Sequence, residues 1–230
     1  MKNLILASTS TLYGQKHLEY LLDDLKEFYS GIDEVCFIPF ARPGAISWDH
    51  YTRHVAQSFS KIGIAVRGIH QYDSPKDALI HAKAIFTGGG NTFVLVKELY
   101  DQDLMNTLKE VIEKGTPYLG CSAGSNIAGM TMHTTNDMPI VMPKSFETTA
   151  VVPFNINAHY MDPIKGLKHN GESRIDRIAE FQHFHKIPVV GIPEGDYIRV
   201  IGDKISLVGP HKAKLFIPDE EPIDTDKLPF

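Results

Sequence analysis

Short apolar runs alternate with helical stripes through the first half of the chain, and that alternation restricts the fold more than any other feature. Leu4-Ile5-Leu6-Ala7, Val35-Cys36-Phe37-Ile38, Ile64-Ala65-Val66 and Ala84-Ile85-Phe86-Thr87 read as strands, the second of them buried and stopped by Pro39. Between them, Leu18, Leu21, Leu22, Leu25 and Phe28 recur at helical spacing, as do Trp48, Tyr51, Val55, Phe59 and Ile62. Ser74-Pro75 opens a further short helix, with Ser74 as cap and Pro75 at the first helical position. A helix from about Thr92 leads into another that ends at Lys114-Gly115, a C-cap pattern. Such alternation predicts an α/β fold with a doubly wound, mostly parallel sheet covered by helices. From Val189 onward the pattern changes. Tyr197-Ile198-Arg199-Val200, Ile205-Ser206-Leu207-Val208 and Leu215-Phe216-Ile217 read as short strands separated by Gly202-Asp203 and Gly209-Pro210 turns. They predict a β-rich C-terminal part of the same domain, so that residues 1–230 form one unit without repeat or linker. Residues 130–154 read as an irregular loop rich in Thr, Pro and Met, and loops of that length are often functional.

Bulk properties remove several classes of function. The 230 residues suffice for one domain with a substantial core, and 43% hydrophobic with 22% charged residues describes a soluble globular chain. The net charge of −5 and the lack of any Lys/Arg run argue against nucleic acid as a partner. The N-terminal apolar run is too short for a signal peptide, and no stretch approaches the roughly 18 residues of a membrane span. Cys36 and Cys121, the only cysteines, read as free thiols, which fits a reducing compartment. The expectation is a cytoplasmic protein, a monomer or a weak homodimer.

The chemistry concentrates at Gly120-Cys121-Ser122-Ala123-Gly124. This G-x-S-x-G follows the apolar run Pro117-Tyr118-Leu119, the arrangement of a nucleophile elbow in which a strand ends, the chain turns sharply and a helix begins. Gly120 and Gly124 let the two elements approach closely. The alternative is a glycine-rich helix start with Ser122 as an ordinary N-cap. Cys121, flanked at the corresponding positions by Leu119 and Ala123, reads as a buried apolar residue rather than the nucleophile.

A serine nucleophile needs a base, a carboxylate to orient that base, and donors for the oxyanion. His159 follows the strand-like run from Val151 to Asn157 and so falls at a strand end. Two carboxylates compete to orient it. Asp137 lies in Thr134-Thr135-Asn136-Asp137-Met138-Pro139, and Glu194 in Pro193-Glu194-Gly195 just after an apolar strand. The strand-end setting favours Glu194. Gly88-Gly89-Gly90-Asn91 matches neither a dinucleotide loop, which needs a glycine where Phe93 stands, nor a P-loop; it suits an oxyanion site built from amides near Gly89 or Gly90, joined by that of Ala123. Asn91 is either a helix cap or a substrate contact. His50 and His54 are four apart on a helix, but Tyr51 stands where a zinc-protease motif has Glu, so no metal is expected. His183-Phe184-His185, near a helix end, reads as solvated.

Together these motifs resemble the S51 family of serine peptidases, the peptidase E or α-aspartyl dipeptidase family. The likeness runs nearly end to end, through Ile38-Pro39-Phe40-Ala41, Trp48-Asp49-x-Tyr51-Thr52, Gly88-Gly89-Gly90-Asn91-Thr92-Phe93, Ser122-Ala123-Gly124, Thr134 to Val141, Ile156-Asn157-x-His159, Gly171-Glu172-x-Arg174 and Pro193-Glu194-Gly195. The resemblance implies a fold similar to class I glutamine amidotransferases and hydrolysis of dipeptides with an N-terminal aspartate, without cofactor. It implies Ser122 as nucleophile and His159 as base, and keeps both Glu194 and Asp137 in the active site. An aspartyl side chain calls for a cation, and Arg174 is the candidate. Cys121 and Ala158 depart from the family, which often has a bulky aromatic and a proline there. Two other readings remain at this point: a cyanophycinase-like hydrolase of the same superfamily, and a non-catalytic α/β binding module.

Overall fold

The computed structural model describes residues 1–44, 46–163, 166 and 170–230. The expected alternation is present: β1 (Asn3–Ala7), α1 (Leu22–Phe28), β2 (Glu34–Ile38), α2 (Trp48–Phe59), β3 (Ala65–Gly68), α3 (Pro75–His81), β4 (Ile85–Thr87), α4 (Thr92–Asp101), α5 (Met105–Lys114) and β5 (Tyr118–Cys121). The helices begin and end where side-chain chemistry allows. Ser47, Ser74 and Asn91 accept from the amides of His50, Asp77 and Val94 to cap α2, α3 and α4, and α5 stops at Gly115 with φ 107°. The first helical stripe is tighter than expected: Glu19–Leu21 forms a 3₁₀ turn before α1 begins.

β3, β2, β4, β5 and β1 form the parallel part of a seven-stranded sheet, in that order. β1 shows why the sheet is covered on both faces. Leu4 and Leu6 enter one hydrophobic cluster, with Leu95, Leu108 and Ile112, while Ile5 and Ala7 enter the other, with Leu25, Val55 and Phe59. Successive side chains of a strand point to opposite faces, so a strand apolar at every position requires cover on both.

The C-terminal strands divide between two sheets. β8 (Tyr197–Ile201) pairs antiparallel with β1 and with β9 (Lys204–Val208), completing the large sheet. β10 (Ala213–Phe216) and β11 (Ile223–Thr225) instead join β7 (Val189–Ile192) and β6 (Asn155–Ala158) in a four-stranded sheet of order β11-β10-β7-β6. α7 (Arg174–Phe184) packs Ile178 with Val189 and Phe216 on this second sheet. The core is nevertheless continuous, since Leu4, Leu6, Ile156, Val190 and Leu215 belong to one cluster.

Two local expectations are corrected. Residues 151–154 do not extend β6, because Pro153 has no amide to pair and the amides of Val151 and Val152 both donate to Ala128 O. His185 is not simply solvated: its ring lies 4.9 Å from that of Phe181 and 4.8 Å from that of His133. Among the described residues no helix is long and apolar enough to cross a membrane.

Candidate active site

β5 ends at Cys121 and α6 (Ala123–Asn126) begins at Ala123, so Ser122 alone makes the turn. Its backbone sits at φ 52° and ψ −111°, a conformation that costs a non-glycine residue about 1–3 kcal/mol. The surroundings hold it there. Ser122 donates its amide to Ala7 O on the neighbouring strand (3.0 Å), and Ser125 Oγ donates to the carbonyls of Ala7 (2.6 Å) and Gly120 (2.8 Å). A Cβ on Gly120 would lie 2.4 Å from Gly124 O, and one on Gly124 would lie 2.2 Å from Thr87 O. Both glycines are therefore required by close backbone approach. Cys121 is fully buried behind the turn and its thiol is pushed up by burial; burial likewise pushes the Cys36 thiol up to about 12. Both cysteines are free.

His159 follows β6 directly and also has positive φ, 55°. Its ring spans two partners. Nε2 lies 2.9 Å from Ser122 Oγ, and Nδ1 lies 2.6 Å from Glu194 Oε1. An ionised carboxylate only accepts, so the neutral ring carries its proton on Nδ1 and leaves Nε2 to accept from the serine hydroxyl. Asp137 points elsewhere. Its Oδ2 accepts from the amide of Thr92 (2.7 Å) and from Thr135 Oγ1 (2.8 Å), a negative charge placed in the first turn of α4. Of the two carboxylates considered for orienting the base, only Glu194 touches the ring among the described residues.

The triple-glycine loop leaves β4 and lies against the elbow, since a Cβ on Gly89 would sit 3.1 Å from Ser122 Cβ. The Gly89 carbonyl accepts from Tyr51 OH (3.2 Å) and Arg42 Nε (3.3 Å). In a trans peptide the following N–H points the opposite way, so this pair of donors turns the Gly90 amide away from themselves. Gly90 has φ 145°, and a Cβ there would meet Ala41 O at 2.2 Å.

Arg174 is the first residue of α7, capped by Ser173, and its guanidinium is half-buried. Nη1 is inaccessible and has no hydrogen-bond partner among the described residues. Burial lowers its pKa, opposed by the neighbouring Tyr160 and Glu194. Asn91 spends both ends of its amide on structure: Oδ1 caps α4 and Nδ2 donates to Met138 O (2.8 Å).

Residues 4–208 match the model of peptidase family S51. The chain belongs to that family. It is 44% identical over 221 residues to a probable alpha-aspartyl dipeptidase of Drosophila melanogaster, covering 95% of this chain and 91% of the relative. It is also 44% identical over 214 residues to peptidase E of Streptomyces coelicolor, covering 93% and 87%. Among solved structures, that of a putative peptidase E protein from Listeria monocytogenes superposes with a TM-score of 0.69 at 22% identity, covering 91% of this chain and 99% of that one, a likeness of fold.

As a member of S51, the chain carries contacts at the site that its sequence motifs did not announce. Arg42 is one; it stands next to a motif but has no pattern of its own. Ser8 is another. It follows the apolar residues of β1 and is fully buried, and a polar residue closing an apolar strand was the available signal. A third is the tie from Asn136 Nδ2 to Ala158 O (2.9 Å), which fastens the Asp137 loop to the end of β6.

Proposed function

We propose that the chain is a serine dipeptidase that hydrolyses dipeptides with an N-terminal aspartate, and that Ser122, His159 and Glu194 form its relay. The observation that carries the relay is the unbroken line Ser122 Oγ, His159 ring, Glu194 Oε1, with gaps of 2.9 and 2.6 Å. The substrate class rests on the relatives' names and on the half-buried guanidinium of Arg174.

In this reading Ser122 Oγ attacks the carbonyl carbon of the Asp-X bond while its proton passes to His159 Nε2. Glu194 holds the ring in the tautomer that can accept that proton and stabilises the imidazolium that forms. The amides of Gly90 and Ala123, with Gly89 lining the approach, receive the negative charge on the former carbonyl oxygen; a single such donor contributes about 3 kcal/mol to the transition state. His159 then gives its proton to the leaving amine. Water, activated by the same imidazole, attacks the aspartyl ester and releases Ser122. Arg174 pairs with the aspartyl side-chain carboxylate through its half-buried guanidinium. Asp137 and Asn91 serve by fixing the loop and the start of α4 beside the glycine loop.

A panel of Asp-Leu, Glu-Leu, Asn-Leu and β-Asp-Leu, assayed with and without chelator, tests the substrate class. Turnover of Asp-Leu well above the other three, unchanged by chelator, is the expected result. Preference for β-Asp-Leu moves the assignment to the isoaspartyl hydrolases, and no turnover of any member rejects it.

A further inference from the structure

We infer that Ser8 is a positioning residue that sets His159 and Glu194 in reach of each other and of Ser122. The inference rests on the relay proposed above and adds what holds it together. Ser8 lies just past β1 with no exposed surface, and it makes three hydrogen bonds. Its Oγ accepts from the amide of His159 (2.8 Å) and donates to Ile192 O (2.7 Å). Its own amide donates to Asp196 O (3.1 Å). Ile192 and Asp196 stand two residues on either side of Glu194. One side chain and one amide therefore grip the backbone of the base and both flanks of the loop that carries its carboxylate.

The preceding residue completes the arrangement. Ala7 O receives the amide of Ser122 and the hydroxyl of Ser125. The end of β1 thus holds the nucleophile through residue 7, and the base and carboxylate through residue 8. His159 needs such a hold because its positive φ is not a conformation that it adopts freely. The hydroxyl is suited to the task because it accepts and donates at once, bridging an amide and a carbonyl that face the same point. Alanine leaves the His159 amide without its acceptor and takes from Ile192 O one of its two donors, the other being the Tyr160 amide (3.0 Å), and frees the His159 backbone to relax toward negative φ.

The test reads the reach of the ring rather than the stability of the fold. A misplacement of 1 Å costs up to about 100-fold in rate, so Ser8→Ala is expected to lower kcat on Asp-Leu roughly 30-fold, with KM changed less than about two-fold. The rate at which a serine-reactive phosphonate labels Ser122 falls by a similar factor. In a Glu194→Gln background, where the ring has already lost its anchor, Ser8→Ala costs less than about three-fold, because residues that act as a unit are non-additive. A folded Ser8→Ala protein that keeps its kcat and labelling rate within about two-fold of the parent overturns the inference, as does an equal loss in both backgrounds. If Ser8→Ala does not fold, Ser8→Cys, similar in size but a weaker hydrogen-bonding group, is judged by the same criteria. The phosphonate arm separates the two proposals: labelling of Ser122 without Asp-X turnover removes the substrate reading and still tests Ser8.

Discussion

The two sheets contribute to the site in different ways. The large sheet provides the elbow and the glycine loop, and both are fixed by close backbone approach within that sheet. Gly120, Gly124 and Gly90 each stand where a Cβ would collide with backbone. The four-stranded sheet and the helix on it provide His159, Glu194 and Arg174. His159 is placed by hydrogen bonds that cross to the large sheet, from its amide to Ser8 Oγ and from its ring to Ser122 Oγ, and Glu194 by its bond to that ring. The lesson is that the nucleophile is held within one sheet, by its glycine contacts and by Ala7 O, whereas its base depends on how two sheets meet.

That contrast can be broken first on the side of the elbow. Gly124→Ala forces the chain against Thr87 O, which has no flexible group to yield. The expected result is a loss of about 1–3 kcal/mol of stability from overpacking. Turnover of Asp-Leu falls about 100-fold as the serine moves out of reach of its base. Denaturant melts and Asp-Leu kinetics measure both; unchanged values in the two assays show that the elbow does not need its glycine.

The second-sheet side yields a smaller and more selective effect. Arg174→Met should raise KM for Asp-Leu about 10- to 100-fold, the value of a hydrogen bond to a charged group, and leave any slow turnover of a neutral dipeptide unaltered. An equal loss on charged and neutral substrates places Arg174 in the support of α7 instead of in the substrate pocket.

The same contrast explains what could be read from the sequence. The alternation of β1 to β5 with helices was legible because the strands are short and mostly apolar, and caps such as Ser47, Ser74 and Asn91 mark where helices begin. The elbow was legible because its steric demands leave a glycine signature. The division of the C-terminal strands was not: β8 and β10 look alike as sequence, and only tertiary pairing sends one to β1 and the other to β7. The strand-end setting favoured Glu194 over Asp137, but the groups that each meets were not legible. Their difference is a matter of which backbone amides and rings they meet, Thr92 in one case and His159 in the other. Ser8 was hidden for a related reason, since the partners of its hydroxyl lie more than 150 residues away.

The central claim is that the nucleophile of one sheet works with the base and carboxylate of the other. Phosphonate labelling with peptide mapping, run in parallel on the parent chain, Glu194→Gln and Asp137→Asn, tests it most directly. The expected result is one adduct, on Ser122, formed about 100-fold or more slowly in Glu194→Gln and at close to the parent rate in Asp137→Asn. An adduct on another residue, or a rate that collapses in Asp137→Asn while Glu194→Gln matches the parent, contradicts it.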